Sequence, residues 1–365
     1  MIAMSRPSAP RPGSFGVKAA LASPKAGAAA AAALFAGCAA AVVMLLGPPA
    51  GDVVRIHLTP VFARAPEGWR QALGPGSMTW LSEDVVRLSD APAAPSAGAG
   101  RAPAPAGALP QAPIAGFFAP GPGGPLPIIA QDGRTPFQAY QRPFTPNGRP
   151  RIALVIGGLG LDARQTQKAI ETLPPQITLS FAPYAEGLQG WIDMARAHGH
   201  EVLLETPMEP VDYPDNDPGP YTLMADAAPP ETAKKLDWIL SRATGYFGLT
   251  NYLGSRFLGD DRAWTGFAGA LRGRGLGFID DGSAARRTGD GIPRASAERV
   301  IDDQLTQAAI DHQLLTLEAS ALERGQALGA GFAYPVTLDM VAHWAQSVEQ
   351  RGYQLAPASA LAIKK

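Results

Sequence analysis

The residues of this chain best suited to chemistry are carboxylates. Glu205, Asp280, Asp281 and Asp302 each stand at or near the end of a short apolar run, and Glu209 follows closely behind the first of them. Oxygen ligands of this kind suit Mg²⁺, Mn²⁺ or Ca²⁺. Two of them at the right separation would serve as the acid and base of a glycosidase. The plainer alternative is that each caps a following helix or pairs with Arg256 or Arg286. Gly158-Leu-Gly160-Leu-Asp-Ala163 suggests a different chemistry, because it fits the G-x-G-x-x-A turn that cradles phosphate between a strand and a helix. That fingerprint expects an acid at the end of the second strand, where Ser180-Phe-Ala182 stands instead.

Other chemistries lack their residues. The five histidines are His57, His198, His200, His312 and His343. His198 and His200 lie where a helix enters a strand, at the opposite end from the acids. His312 and His343 fall within helical patterns. No imidazole is therefore placed to hold zinc beside the acids, or to activate Ser255 or Ser283 in a triad. The single cysteine excludes an intramolecular disulfide and a cysteine-cluster zinc site. A net charge of -1 supplies no overall positive field for nucleic acid.

These acids need a scaffold that brings strand ends together. Apolar runs predict strands near 152–157, 177–182, 201–206, 246–252, 275–280, 299–302, 327–332 and 354–356. Helical periodicity fills the intervals, near 163–172, 188–198, 230–243, 261–272, 304–324 and 338–351. Such repetition predicts an α/β fold with a parallel sheet, most simply a short, distorted (β/α)7-8 barrel with its functional end at the strand C-termini. The first of these strands ends in Gly157-Gly158, with no side chain to offer.

Upstream of the barrel, Arg6, Arg11, Lys18 and Lys25 precede an uncharged apolar stretch at 26–47. This pattern predicts a basic cytoplasmic segment at 1–25 and one transmembrane anchor at 26–47. A cleaved signal peptide and a lipidated Cys38 are the rival readings. Residues 48–125, rich in Pro, Ala and Gly, predict a linker. Residues 126–149 carry Ile128, Ile129, Phe137, Tyr140 and Phe144, and predict a strap that docks on the barrel domain 150–365.

Five blocks carry a resemblance. They read Ile156-Gly-Gly-Leu-Gly160, Pro207-Met-Glu-Pro210, Thr250-Asn-Tyr-Leu-Gly-Ser255, Ile279-Asp-Asp-Gly-Ser283 and Gly331-Phe-Ala-Tyr-Pro-Val-Thr-Leu338. In that order they resemble the I-D-D-L-G, P-M-E-P, N-N-H-x-G-S, L-D-S and G-H-P-Y-P-x-T-L blocks of the divergent polysaccharide deacetylases, relatives of the NodB-type carbohydrate esterases. The resemblance implies a distorted barrel and a role in envelope carbohydrate metabolism. It also implies a metal held by an Asp pair and histidines. Here the Asp pair reads Gly157-Gly158, the two histidine positions read Tyr252 and Phe332, and Glu205 stands at a further histidine position. The expectation is therefore a degenerate deacetylase with no catalytic residues at the family positions and no bound family metal. Glu205, Glu209, Asn251, Ser255, Arg256, Asp280, Asp281 and Tyr334 remain as a glycan-binding or scaffolding mouth. Its expected partner is an envelope glycan or protein, with the barrel in the periplasm and no nucleic acid involved. An active hydrolase rebuilt on Glu205, Asp280, Asp281 and Asp302 is the alternative.

Overall fold

The computed structural model describes residues 107–288 and 291–364. The expected cytoplasmic segment, the expected anchor and most of the expected linker lie outside these residues. Among the described residues no helix is long and apolar enough to cross a membrane.

The chain first forms a hairpin of β1 (Phe118–Gly121) and β2 (Gly124–Pro127), then a short helix α1 (Pro136–Tyr140). A βα alternation follows, with β3 (Arg151–Leu159), α2 (Ala163–Thr172), β4 (Thr178–Phe181), α3 (Leu188–Ala197) and β5 (Val202–Met208). It continues with α4 (Pro229–Leu240), β6 (Gly248–Leu253), α5 (Ser255–Gly259), α6 (Asp261–Arg274) and β7 (Gly277–Asp280). Next come β8 (Pro293–Ser296), β9 (Arg299–Val300), α7 (Gln307–Arg324), β10 (Gln326–Phe332) and α8 (Pro335–Val348). The chain closes with β11 (Gln354–Leu355), a 3-10 turn at Ala358–Leu361 and β12 (Ile363–Lys364).

One ten-stranded sheet holds these strands in the order β12-β8-β7-β6-β5-β4-β3-β10-β9, with β11 beside the start of β3. All its neighbours pair in parallel except β12 with β8. Among the described residues β9 does not pair with β8 or β12, so the barrel stays open instead of closing. The sheet is nonetheless curled. The turn at Ala358–Leu361 touches β3, β7, β8 and β10, which stand apart in the sheet order. The helices start where the sequence supplies caps: Asp162, Asp260 and Thr306 each accept a backbone N–H three residues on.

Strand alternation sorts the side chains into two cores. Ile152, Leu154, Ile156, Leu204 and Phe278 face the helices. Ala153, Val155, Leu203, Ile279 and Leu328 face the inside of the curl. The lower part of that interior is plugged. Phe117, Phe137 and Tyr140 from the chain before the barrel fill it together with Ala356, Ala358 and Leu361. Glu201, fully buried, ties the segment before β3 to the turn at Ala358–Leu361. It accepts the backbone N–H of Arg142 at 2.9 Å, Thr178 Oγ1 at 2.8 Å and Ser359 Oγ at 2.5 Å.

The expected strap therefore docks, and it starts earlier than its expected boundary. Residues 107–125 belong to the folded domain and not to a linker, which corrects the reading of 48–125 over that part. The physical reason lies outside the segment. Leu109, Ala112 and Phe117 find apolar surface on the barrel. Arg196, 1% exposed, donates to Pro110 O at 2.9 and 3.1 Å and to Tyr140 O and Gly245 O at 3.0 Å. Burial lowers its pKa to about 10, and its guanidinium stacks 5.1 Å from the Tyr140 ring. Arg196→Ala should cost about 2 kcal/mol by leaving these carbonyls unpaired. Limited proteolysis would then cut within 107–135, where the parent chain resists, and equal resistance in both chains would disprove the anchoring role.

Candidate functional site

The C-terminal end of the sheet is the open end of the curl. Parallel register sets Phe332 of β10 directly beside Gly157 of β3, and Glu205 of β5 beside Thr250 of β6. Alternation from the interior residues Val155 and Leu203 carries Gly157 and Glu205 onto the inner face. Ser180, Tyr252 and Phe332 join them there.

Gly157-Gly158 forms a bulge. From Ile156 to Leu159, β3 advances one residue more than its partner β4 does from Leu179 to Phe181. Gly158 takes φ 73°, left-handed backbone that glycine adopts without strain. The bulge turns its N–H inward, where it donates to Glu205 Oε1 at 2.6 Å. Ser180 Oγ donates to the same oxygen at 3.0 Å. A Cβ built on Gly157 would stand 2.8 Å from both Glu205 Oε1 and Ser180 Oγ. The Glu205 carboxyl thus occupies the space a side chain at 157 would need. Burial pushes its pKa up to about 7, against the pull of those two hydrogen bonds.

Aromatic rings close one side of this carboxyl. Tyr252 and Phe332 meet edge to face with ring centres 6.2 Å apart, and Tyr334 lies 6.3 Å from Phe332. A Cβ on Gly158 would touch Phe332 at 3.4 Å, so the ring and the carboxyl flank the same glycine. Burial raises the Tyr252 pKa, and the Glu205 charge adds to that shift.

The other sequence-selected residues disperse. Asp280 follows Phe278 on the helix-facing side, and its oxygens are taken by the N–H groups of Gly282 and Ala284 and by Ser296 Oγ. Burial raises its pKa. Asp281 accepts the N–H of Ser283, and Asn251 links Asp281 N to Leu253 O. Asp302 Oδ2 accepts Phe332 N at 2.7 Å and Thr337 Oγ1 at 2.9 Å, and joins β9 to β10 and α8. Its Oδ1 is buried without a partner, and burial raises its pKa too. Glu209, 2% exposed, accepts Arg256 Nη1 at 2.6 Å and Ala225 N at 2.7 Å. Arg256 also pairs with Asp226, and Ser255 Oγ accepts Val211 N. Tyr334 remains open, 42% exposed.

The family model described as divergent polysaccharide deacetylase matches residues 154–362, more than half of the chain. The chain belongs to the divergent polysaccharide deacetylase family. A crystal structure of an uncharacterized protein from Agrobacterium tumefaciens C58 is similar at 38% identity and a TM-score of 0.63, over 65% of this chain and 99% of that one. An uncharacterized protein of Haemophilus influenzae is similar at 23% identity over 194 residues, 52% of this chain and 68% of that protein.

For a member of this deacetylase family, the metal implied by the resemblance does not fit the residues present. Gly157 and Gly158 offer no ligands, Tyr252 and Phe332 offer rings, and Glu205 fills the gap itself. Among the described residues no group of three or more His, Cys, Asp or Glu is arranged to hold a metal ion. His200, far from the mouth, is buried and bonded to the carbonyls of Ile177 and Ile170.

The sequence reading missed Ser180 as a site residue and did not see Glu205 as the filler of a gap on β3. One signal was available. Thr178-Leu-Ser180 and Leu203-Leu-Glu205 alternate in phase, which puts both polar side chains on the inner face beside Gly157.

Proposed function

We propose that this domain is a non-catalytic carbohydrate-binding barrel of the cell envelope, in which the ancestral deacetylase centre has become a binding pocket. The observation that carries the reading is the seating of the Glu205 carboxyl in the space beside Gly157, under the Tyr252–Phe332 contact. Deacetylation needs an activated water and a base held by several ligands. One carboxyl and three rings do not supply that set. They do supply what a sugar requires: an aromatic wall for its apolar C–H face and a polar group for its hydroxyls. In this reading the segment 26–47 holds the chain at the membrane, and the residues after it let the barrel reach envelope glycan from the periplasmic side.

The test is a pair of assays on the full-length chain. No acetate should be released from acetylated chito-oligosaccharides, while one or more envelope glycans bind. Tyr334→Ala should weaken that binding about tenfold, because the exposed ring forms part of the wall. Acetate release that a chelator abolishes would defeat the non-catalytic reading. Capture of an envelope protein without glycan binding would point to a scaffold.

One observation favours a second reading, an active hydrolase. Glu205, with a pKa pushed to about 7, has the proton affinity of a general acid or base. Its expected helpers Asp280 and Asp302 face away from it, so it would have to act with Tyr252. Hydrolysis lost in Glu205→Gln would establish that reading.

A further inference from the structure

Glu205 is satisfied on one side only. The residue is 4% exposed. Oε1 holds Gly158 N and Ser180 Oγ, yet Oε2 has no hydrogen-bond partner among the described residues and is not sealed from solvent. No arginine, lysine or histidine among the described residues forms an ion pair with it. Oε2 is thus the one oxygen of a deeply buried carboxyl that a donor from outside can reach.

The surroundings say which kind of partner. Tyr252 and Phe332 lie beside the carboxyl, with Tyr334 against Phe332, and aromatic rings attract positive charge. An anion would meet the Glu205 carboxyl itself, with no cationic side chain among the described residues paired to it to offset the repulsion. A metal ion would find too few ligands. A neutral apolar group would leave Oε2 unpaired. An ammonium group satisfies both features at once, with N–H donors for Oε2 and a cation for the rings.

We infer that the mouth selects a primary ammonium, carried on a sugar with a free amino group. The sugar part rests on the binding reading proposed above. The ammonium part rests on Glu205 Oε2 and the three rings. In this account the pocket favours a de-N-acetylated glycan over its acetylated form, because an acetamide carries no charge for Glu205.

Isothermal titration of the full-length chain at neutral pH separates the possibilities. The probes are the fully de-N-acetylated glucosamine tetramer, the fully N-acetylated tetramer and spermidine. The free-amine tetramer should bind at least about tenfold more tightly than the acetylated one, as expected for a charge-assisted contact in a poorly solvated site. Glu205→Gln should remove that preference while it leaves the circular dichroism spectrum unchanged, and Phe332→Leu should reduce it in part. Equal or tighter binding of the acetylated tetramer would overturn the ammonium inference and leave the carbohydrate reading standing. Spermidine binding with neither tetramer bound would support the ammonium site and overturn the carbohydrate reading. No binding of any probe would overturn both.

Discussion

Gly157→Asp should destabilise the domain by about 4 kcal/mol, although it restores an acid that the resemblance expects at this position. Backbone strain is not the cause, since Gly157, unlike Gly158, does not take the left-handed conformation. The cause is occupancy. A Cβ at 157 would press to 2.8 Å from Glu205 Oε1 and Ser180 Oγ, and the added carboxyl would share a buried pocket with another. One of the two acids must leave its hydrogen bonds or keep a proton. Glu205→Ala in the same chain should remove most of the penalty by vacating the space. A double-mutant cycle from urea unfolding should therefore show a coupling of about 2 kcal/mol or more. Additive effects would mean that the two positions do not compete, and the account of the glycine as space for Glu205 would fail.

The second large effect is on pH dependence. Glu205 moves from an ordinary 4.5 to about 7 on folding, because burial disfavours its charged form. Between those values the native state holds a proton that the unfolded chain has released. Stability therefore falls as pH rises across that window. The contribution is fully present below about 4.5 and is lost as pH passes through about 7, an integrated change of about 3 kcal/mol. Gln at 205 keeps an oxygen for Gly158 N and cannot titrate. The stability of the parent chain relative to Glu205→Gln should drop by about that amount from acid to mildly alkaline pH. Glu201, Asp280 and Asp302, also raised by burial, have the same sign and leave the variant with a slope of its own. Parallel curves for the two chains would show that Glu205 ionises as it does in water.

Both effects turn on the burial of Glu205 beside Gly157 and Gly158, across strands that are not neighbours, which no local pattern announces. Much else was legible. The apolar runs at Ile152–Ile156 and Val202–Leu204 mark strands buried on both faces, and the helices between them follow their periodicity. What escaped had weak local signals. β8, Pro-Arg-Ala-Ser, has neither an apolar run nor alternation, and only its neighbours β7 and β12 make it a strand. Residues 107–125 read as linker by composition, yet Arg196 and the barrel interior supply the surface and donors they lack themselves.

The candidate site divides in the same way. Sequence by itself determined the βα repeat, the order of the strand-end blocks and the residue types at 157, 158, 252 and 332, which differ from those the resemblance expects, because these depend on residue type and local period. Only the tertiary structure decided what stands around those positions. Strand parity turned Asp280 away from the mouth and Glu205 into it. A one-residue bulge aimed the Gly158 N–H at that carboxyl, and the curl of the sheet brought Tyr252 against Phe332 from strands that are not neighbours. Parity, register and curl are set by pairing across the whole sheet, so the environment of a single carboxyl could not be read from the residues on either side of it.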